Sequence, residues 1–211
     1  MTPVDIVNIG VLALDRRPIQ SFADGSVAAN AASATFRVAL RAVLEAEPWN
    51  DATEMATLAA ELTVPQFGYA YQYLLPADAL KVQNLWGVQY KWRRKGRRLL
   101  TSAPSPLRIF YTRDLTINAA GAPVSDGEDI PIGALLATAV GLRWAAMNAK
   151  QITGSEGSME MARVLYERAI REARGADASE GTVEPARVGN WIDQTAPDAW
   201  DAGMLQSWLG E

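Results

Sequence analysis

Val82-Gln83-Asn84-Leu85-Trp86-Gly87-Val88-Gln89-Tyr90-Lys91-Trp92-Arg93-Arg94-Lys95-Gly96-Arg97-Arg98-Leu99-Leu100-Thr101 is the stretch least like a helix in a chain otherwise rich in alanine. Valine, tryptophan and tyrosine, which suit a pleated and half-buried surface, recur from Val82 to Trp92. Gly96 supplies the conformational freedom of a tight turn, and Leu99 to Thr101 reads as the returning strand. A further strand is expected over Leu107 to Thr112, after Pro104 and Pro106. Together these segments predict a small antiparallel sheet or long hairpin over residues 82–113.

Just upstream, Gln66 to Pro76 alternates aromatic with small or polar residues and reads as extended, with a short helical turn from Pro76 and Asp78 to Lys81. Around this β region the pattern is helical. Asp5 to Leu14 forms a short apolar helix. Val27 to Ala46 carries Phe36, Leu40, Val43 and Leu44 on one stripe, with Asp24 as its expected N-cap. Pro48 stops it. A second helix is expected from Asn50 or Asp51 through Met55, Leu58, Ala59 and Leu62, making a helical hairpin about Glu47-Pro48-Trp49.

After a Gly/Asp/Ser/Pro loop at Asn118 to Asp129, Pro131 is placed near the start of a helix running to about Ile152. Its inner face is expected to hold Leu135, Leu136, Ala139, Leu142 and Ala146. A last amphipathic helix is predicted from Met159 to Arg174, with Met161, Val164, Leu165, Ala169 and Ile170 inward. The fold class expected is therefore α+β, mainly α. It is an antiparallel helical bundle (1–64 and 130–175) with an inserted small antiparallel β-sheet or hairpin (82–113) and an extended C-terminal arm (176–211). The arm is acidic yet carries Trp191, Ile192, Trp200, Leu205, Trp208 and Leu209, which cannot build a core of their own and call for a surface to dock on.

Composition narrows the chemistry. The 211 residues include no cysteine and no histidine, which excludes thiol and imidazole nucleophiles and bases, disulfides, and thiolate or imidazole metal sites. The formal charge is −4, so global charge does not announce a nucleic-acid binder. No stretch reads as a secretory signal or membrane span, and a soluble protein is expected. No cofactor and no metal cluster is expected.

Lys91, Arg93, Arg94, Lys95, Arg97 and Arg98 are six cations in eight residues at the predicted turn. They suit phosphate contact, an acidic protein surface, or a solvated turn that guards strand edges from self-pairing. Tyr69, Tyr71 and Tyr73 read as a seal between helices and sheet rather than a stacking platform. Glu45, Glu47, Asp51, Glu54 and Glu61 straddle the predicted helical hairpin, where a carboxylate pair about 5–9 Å apart would be glycosidase-like, although solvated helix acids are commoner.

The order of motifs is specific: Pro48-Trp49 at a helix break, then Tyr69-Ala70-Tyr71-Gln72-Tyr73-Leu74-Leu75-Pro76-Ala77-Asp78-Ala79-Leu80, then a Tyr/Trp strand, the basic Gly96 turn, and a strand ending in Tyr111-Thr112-Arg113-Asp114. Over roughly Val4 to Gly175 this resembles the tail tubular protein A family, the head-to-tail adaptors of short-tailed phages. Ala79 stands where that family often has cysteine, and Asn50-Asp51 where an aromatic usually follows Pro-Trp. The resemblance implies a non-enzymatic virion protein at the head-tail junction, made in the bacterial cytoplasm. It would form a ring of about twelve copies that extends the DNA channel without sequence recognition. The implied partners are the portal protein, the tail nozzle or tubular protein, the neighbouring subunits and the genomic DNA passing through, with no membrane. The arm tryptophans would anchor to the portal or a neighbouring subunit, and residues 91–98 would meet the nozzle or face the channel. Two alternatives stand beside this: a tail-associated peptidoglycan hydrolase using paired carboxylates, and a DNA-binding packaging accessory resting on the basic turn.

Overall fold

The structure is a computed structural model that describes residues 1–87 and 89–180. The arm positions Trp191, Ile192, Trp200, Leu205, Trp208 and Leu209 lie outside the described residues. Among the described residues four helices and two small antiparallel sheets make a mixed α+β architecture, about 44% helix and 20% strand.

α1 (Pro3–Ala13) begins at a capping box. Thr2 accepts the Asp5 N–H, and the Asp5 carboxylate accepts the N–H and hydroxyl of Thr2. α2 (Val27–Ala46) is capped by Ser26, whose hydroxyl accepts the Ala29 N–H at 3.1 Å. Asp24, the cap expected, instead accepts the Ser26 N–H at 2.9 Å and holds the cap in place. α2 ends where Glu47 turns extended ahead of Pro48.

The second helix expected after Asn50 does not form. One turn of 3-10 helix (Asn50–Ala52) leads into β1 (Thr53–Leu58). Met55, Leu58, Ala59 and Leu62 have helical spacing, but the backbone of residues 53–58 pairs instead with a strand far along the chain. β1 pairs antiparallel with β6 (Leu107–Arg113), Thr53 opposite Thr112 and Leu58 opposite Leu107. β3 (Ala79–Leu85) flanks β6 on its other side. It begins directly after a turn at Ala77-Asp78, so the helical turn expected to reach Lys81 is shorter than predicted.

The second sheet has the order β2-β5-β4: β2 (Tyr71–Leu74), β4 (Trp92–Lys95) and β5 (Arg98–Thr101). The β region thus spans 53–113 rather than 82–113. Two sheets share one core, with Leu58, Val82, Leu85, Leu107 and Ile109 from the first and Tyr73 and Leu99 from the second.

A separate core belongs to the helices. α3 (Ala134–Thr153) contacts all three others. It starts at Gly133, two residues past Pro131, because the Gly133 N–H is held by Asp51 Oδ2 at 2.6 Å. Leu136, Ala139 and Leu142 are buried as expected, along with Ala137, Val140, Gly141, Trp144, Ala145, Asn148 and Ala149, but Leu135, expected inside, is 45% exposed. α4 (Glu156–Ser179) follows Gly154, which caps α3 in the left-handed region at φ 74°. α4 buries Ala162, Ala169, Ile170 and Ala173, while Met161 and Val164, expected inward, are exposed. The small alanines let α4 approach α3 closely, and that choice of face turns the bulkier residues outward. α4 also outruns the predicted end at Arg174: Asp177 accepts the Asn50 N–H at 2.8 Å and the Asn50 amide donates to the Asp177 carbonyl.

Candidate functional site

The β4–β5 hairpin turns at Gly96 as expected, but the strand read from Val82 to Trp92 is broken: its first part belongs to β3 and pairs with β6, and only Trp92–Lys95 pairs with β5. Gly96 sits at φ 60°, and the pairs Lys95–Arg98, Arg94–Leu99 and Arg93–Leu100 fix its register. The six cations do not act alike. Arg94 is a clamp: its Nε donates to the Gly96 carbonyl at 2.9 Å, Nη2 to Ala79 at 3.0 Å, and Nη1 to Leu80. These bonds tie the hairpin to the start of β3, in the other sheet. Arg97 donates to the Leu75 carbonyl at 3.4 Å. Arg98 pairs with Glu61 at 2.7 Å, and that hydrogen bond and charge raise the guanidinium pKa. Lys91, Arg93 and Lys95 are exposed and make neither ion pair nor side-chain hydrogen bond among the described residues.

Arg93 and Lys95 do not point into empty solvent. The chain between β1 and β2 folds over the outer face of the second sheet, leaving an open groove of about 590 Å³. Val64, Phe67, Tyr69 and Leu100 line it together with Arg93 and Lys95. Phe67 is 84% exposed and Val64 64%, so their apolar surface is still in water. Sequence reasoning passed over Val64 and Phe67. Their signal was local: apolar residues beside Pro65 and Gly68, where neither helix nor strand could bury them.

The residues that carried the family pattern hold the body together. Trp49, beside Pro48, is buried and its indole donates to the Val43 carbonyl at 2.8 Å, closing the end of α2. Tyr73 is buried and donates to the Ala103 carbonyl at 2.7 Å, while Tyr71 stays partly exposed and Tyr69 reaches the groove. Leu75 is buried in the β core, next to Pro76, and Leu80 packs against the helical core. Tyr111 donates to Asp78 at 3.3 Å. Burial, then the charges of Asp78 and Glu54, push its phenol up to about 12. Asp78 also pairs with Arg113 at 3.3 Å.

No family model and no curated protein matches the chain.

The acidic residues considered for hydrolysis do not share a helical hairpin. Glu45 and Glu47 lie at the end of α2, Asp51 in the 3-10 turn, Glu54 on β1 and Glu61 beyond it. Glu47 pairs with Arg174, Glu54 with Arg113 and Glu61 with Arg98, while Asp51 holds the start of α3. These four anchor other segments, while Glu45 contributes its backbone carbonyl, which accepts from Lys81 at 2.9 Å. Among the described residues no three acidic side chains converge as a metal site would require.

Proposed function

We propose that the chain is a head-to-tail adaptor: a structural virion protein that forms a ring between portal and tail nozzle and extends the DNA channel. The observation that carries the reading is the division of labour within the motif region. Residues of the family pattern close structural joints, as Trp49 does at the end of α2 and Tyr111 against Asp78. The basic hairpin, in contrast, leaves Lys91, Arg93 and Lys95 without partners among the described residues, and exposed Phe67 and Val64 line a groove with Arg93 and Lys95. A body whose motif residues are taken up in structural joints, with an exposed cationic and apolar surface beside them, is suited to docking rather than bond-making.

In this reading Lys91, Arg93 and Lys95 meet the nozzle or line the channel. Copied about twelve times around a closed ring, three cations become a dense collar. Trp191, Trp200 and Trp208 anchor the arm to the portal or to a neighbouring subunit.

The test is to mix the full chain with its cognate portal ring and weigh the product by native mass spectrometry. A gain of about one subunit per portal chain is expected. It should vanish when the chain is cut after Glu180, which spares the Asn50–Asp177 contact that a cut at Gly175 would remove. A portal that gains no mass at any salt concentration overturns the adaptor reading.

A further inference from the structure

α4 turns Ala162, Ala169 and Ala173 into the helical core, and its opposite face is left in water. On that face Glu160, Val164, Arg168 and Arg171 follow one another at helical spacing, so they share one side of the helix. Val164 is 57% exposed, and Met161 beside it 61%. The charges on the face are ordered rather than mixed. Glu160, one turn before Val164, has no ion-pair partner among the described residues. The cations come after Val164. Arg168 spends its Nε on Glu172 at 2.9 Å, and Arg171 donates from Nε to the backbone carbonyl of Glu167 at 2.9 Å. The face therefore runs from acid through an apolar middle to base.

We infer that this face of α4 pairs with the same face of a second copy of the chain, the two helices antiparallel and Val164 at the two-fold axis. Charge complementarity selects the occupant. About a two-fold axis at Val164, a residue a given number of places before it meets the residue the same number of places after it in the other copy. Glu160 of each copy then faces Arg168 of the other. Arg171 comes over Gly157, which has no side chain in its way, and stands one turn from the same Glu160. A parallel pair would set Glu160 against Glu160 and Arg168 against Arg168, and like charges brought together oppose association. A partner of one charge sign would be repelled at one end of the face. The second copy, reversed, matches both ends. Burial of Val164 and Met161 supplies the affinity, with the aliphatic stems of the arginines closing over them, and the charge pairs fix the direction. The inference does not rest on the adaptor reading. Copies in a ring repeat head to tail, whereas a two-fold pair faces two copies in opposite directions, so under that reading the pair is a state of the protein before it docks.

Sedimentation equilibrium of the full-length protein without portal reads the contact. The mean mass is expected to rise toward that of two copies as the protein is raised to about 100 μM, within reach of a micromolar contact. Two charge-reversed chains then test the direction of the helices. Glu160→Arg is one, and Arg168→Glu with Arg171→Glu is the other. Each alone sets like charges across the axis and should weaken association by about tenfold or more. Mixed in equal amounts they should pair with each other at the parent's affinity, because each now carries the charge that the other lacks. That recovery also shows both variants to be folded, so a loss seen in either one alone comes from the interface. A parent chain that stays monomeric through this range overturns the inference. So do charge-reversed chains that associate as the parent does, and a mixture that fails to recover. The portal-binding measurement reads a different contact, so each proposal can fail without the other.

Discussion

Arg41 on α2 donates from Nε to the Asp114 carboxylate at 2.9 Å, fastening the helical layer to the residue that follows β6. Asp114 is buried, and its other oxygen accepts the N–H and hydroxyl of Thr116 at 3.0 and 2.7 Å. Its own N–H donates to the Asp78 carbonyl at 2.7 Å. One residue therefore joins three segments: its carboxylate holds α2 and the following loop, and its backbone N–H holds the turn ahead of β3.

That joint should be visible in acid. Burial by itself would raise the Asp114 carboxyl, but the hydrogen bonds from Arg41 and Thr116 outweigh it and hold the group below the usual carboxylate range. A folded-state pKa below the unfolded value means the stability is present above the ordinary aspartate pKa of about 3.9, and is lost as pH falls through the lower folded value. Asp114→Asn should cost about 1.5–3 kcal/mol at neutral pH. It should also flatten the acid limb of stability against pH, measured by urea unfolding. Parallel acid limbs in the two proteins would show that Asp114 is not the linked group.

Tyr111 gives the opposite sign. Its phenol is raised to about 12, so its contribution is complete below the unfolded tyrosine value of about 10 and is lost as pH rises from there through the folded value. In a phenolate absorbance titration of the native protein, Tyr111 should ionise late, as should Tyr73, which burial also pushes up, and the late amplitude should shrink in Tyr111→Phe. A late amplitude unchanged by the substitution would show that Tyr111 is not one of the late groups.

Gly10 on α1 and Gly141 on α3 mark where two helix backbones touch. A Cβ on Gly141 would stand 2.3 Å from the Ile6 carbonyl oxygen, and one on Gly10 2.3 Å from that of Gly141. Alanine in a helix gains about 1 kcal/mol of propensity over glycine. The clash with backbone, which cannot rotate away, should still win: Gly141→Ala is expected to destabilise by about 1–3 kcal/mol net. Thermal melting at or above the parent's temperature would contradict the close approach.

The hairpin arginines should separate in the same kind of measurement. Arg93→Ala and Lys95→Ala are expected to leave stability within about 0.5 kcal/mol, because nothing in the body depends on them. Arg94→Ala removes donors from three carbonyls and should cost about 1–2 kcal/mol. In partner binding the order should reverse, with Arg93 and Lys95 mattering most. Equal destabilisation by all three would erase the distinction between clamp and free cation.

Much of this was legible in one dimension because the causes are local. Val27 to Ala46 reads as a helix from its alanines and apolar stripe, and the structure has those same bounds. Gly96 between two β-favouring runs forces a hairpin whatever surrounds it. The 118–129 loop is fixed by its glycines, proline and acids. Residues 53–58 were misread for the complementary reason. Six residues cannot announce whether their hydrogen bonds close on themselves or on Leu107 to Thr112, and only the second sheet partner decides.

The candidate site divides along the same line. Sequence alone determined that six cations crowd one turn, that no imidazole or thiol is available, and that the acidic, tryptophan-bearing segment stands apart in composition. Composition and turn chemistry are carried by neighbouring residues. Tertiary structure decided which cations are free, because the carbonyls of Ala79 and Leu80 and the carboxylate of Glu61 reach the hairpin only after both sheets have packed. It also decided that Phe67 and Arg93 line one groove, and that Met161 rather than Ala162 faces out from α4. A side chain's period along a helix or strand fixes which residues share a face, but only packing against a second element chooses which face is buried.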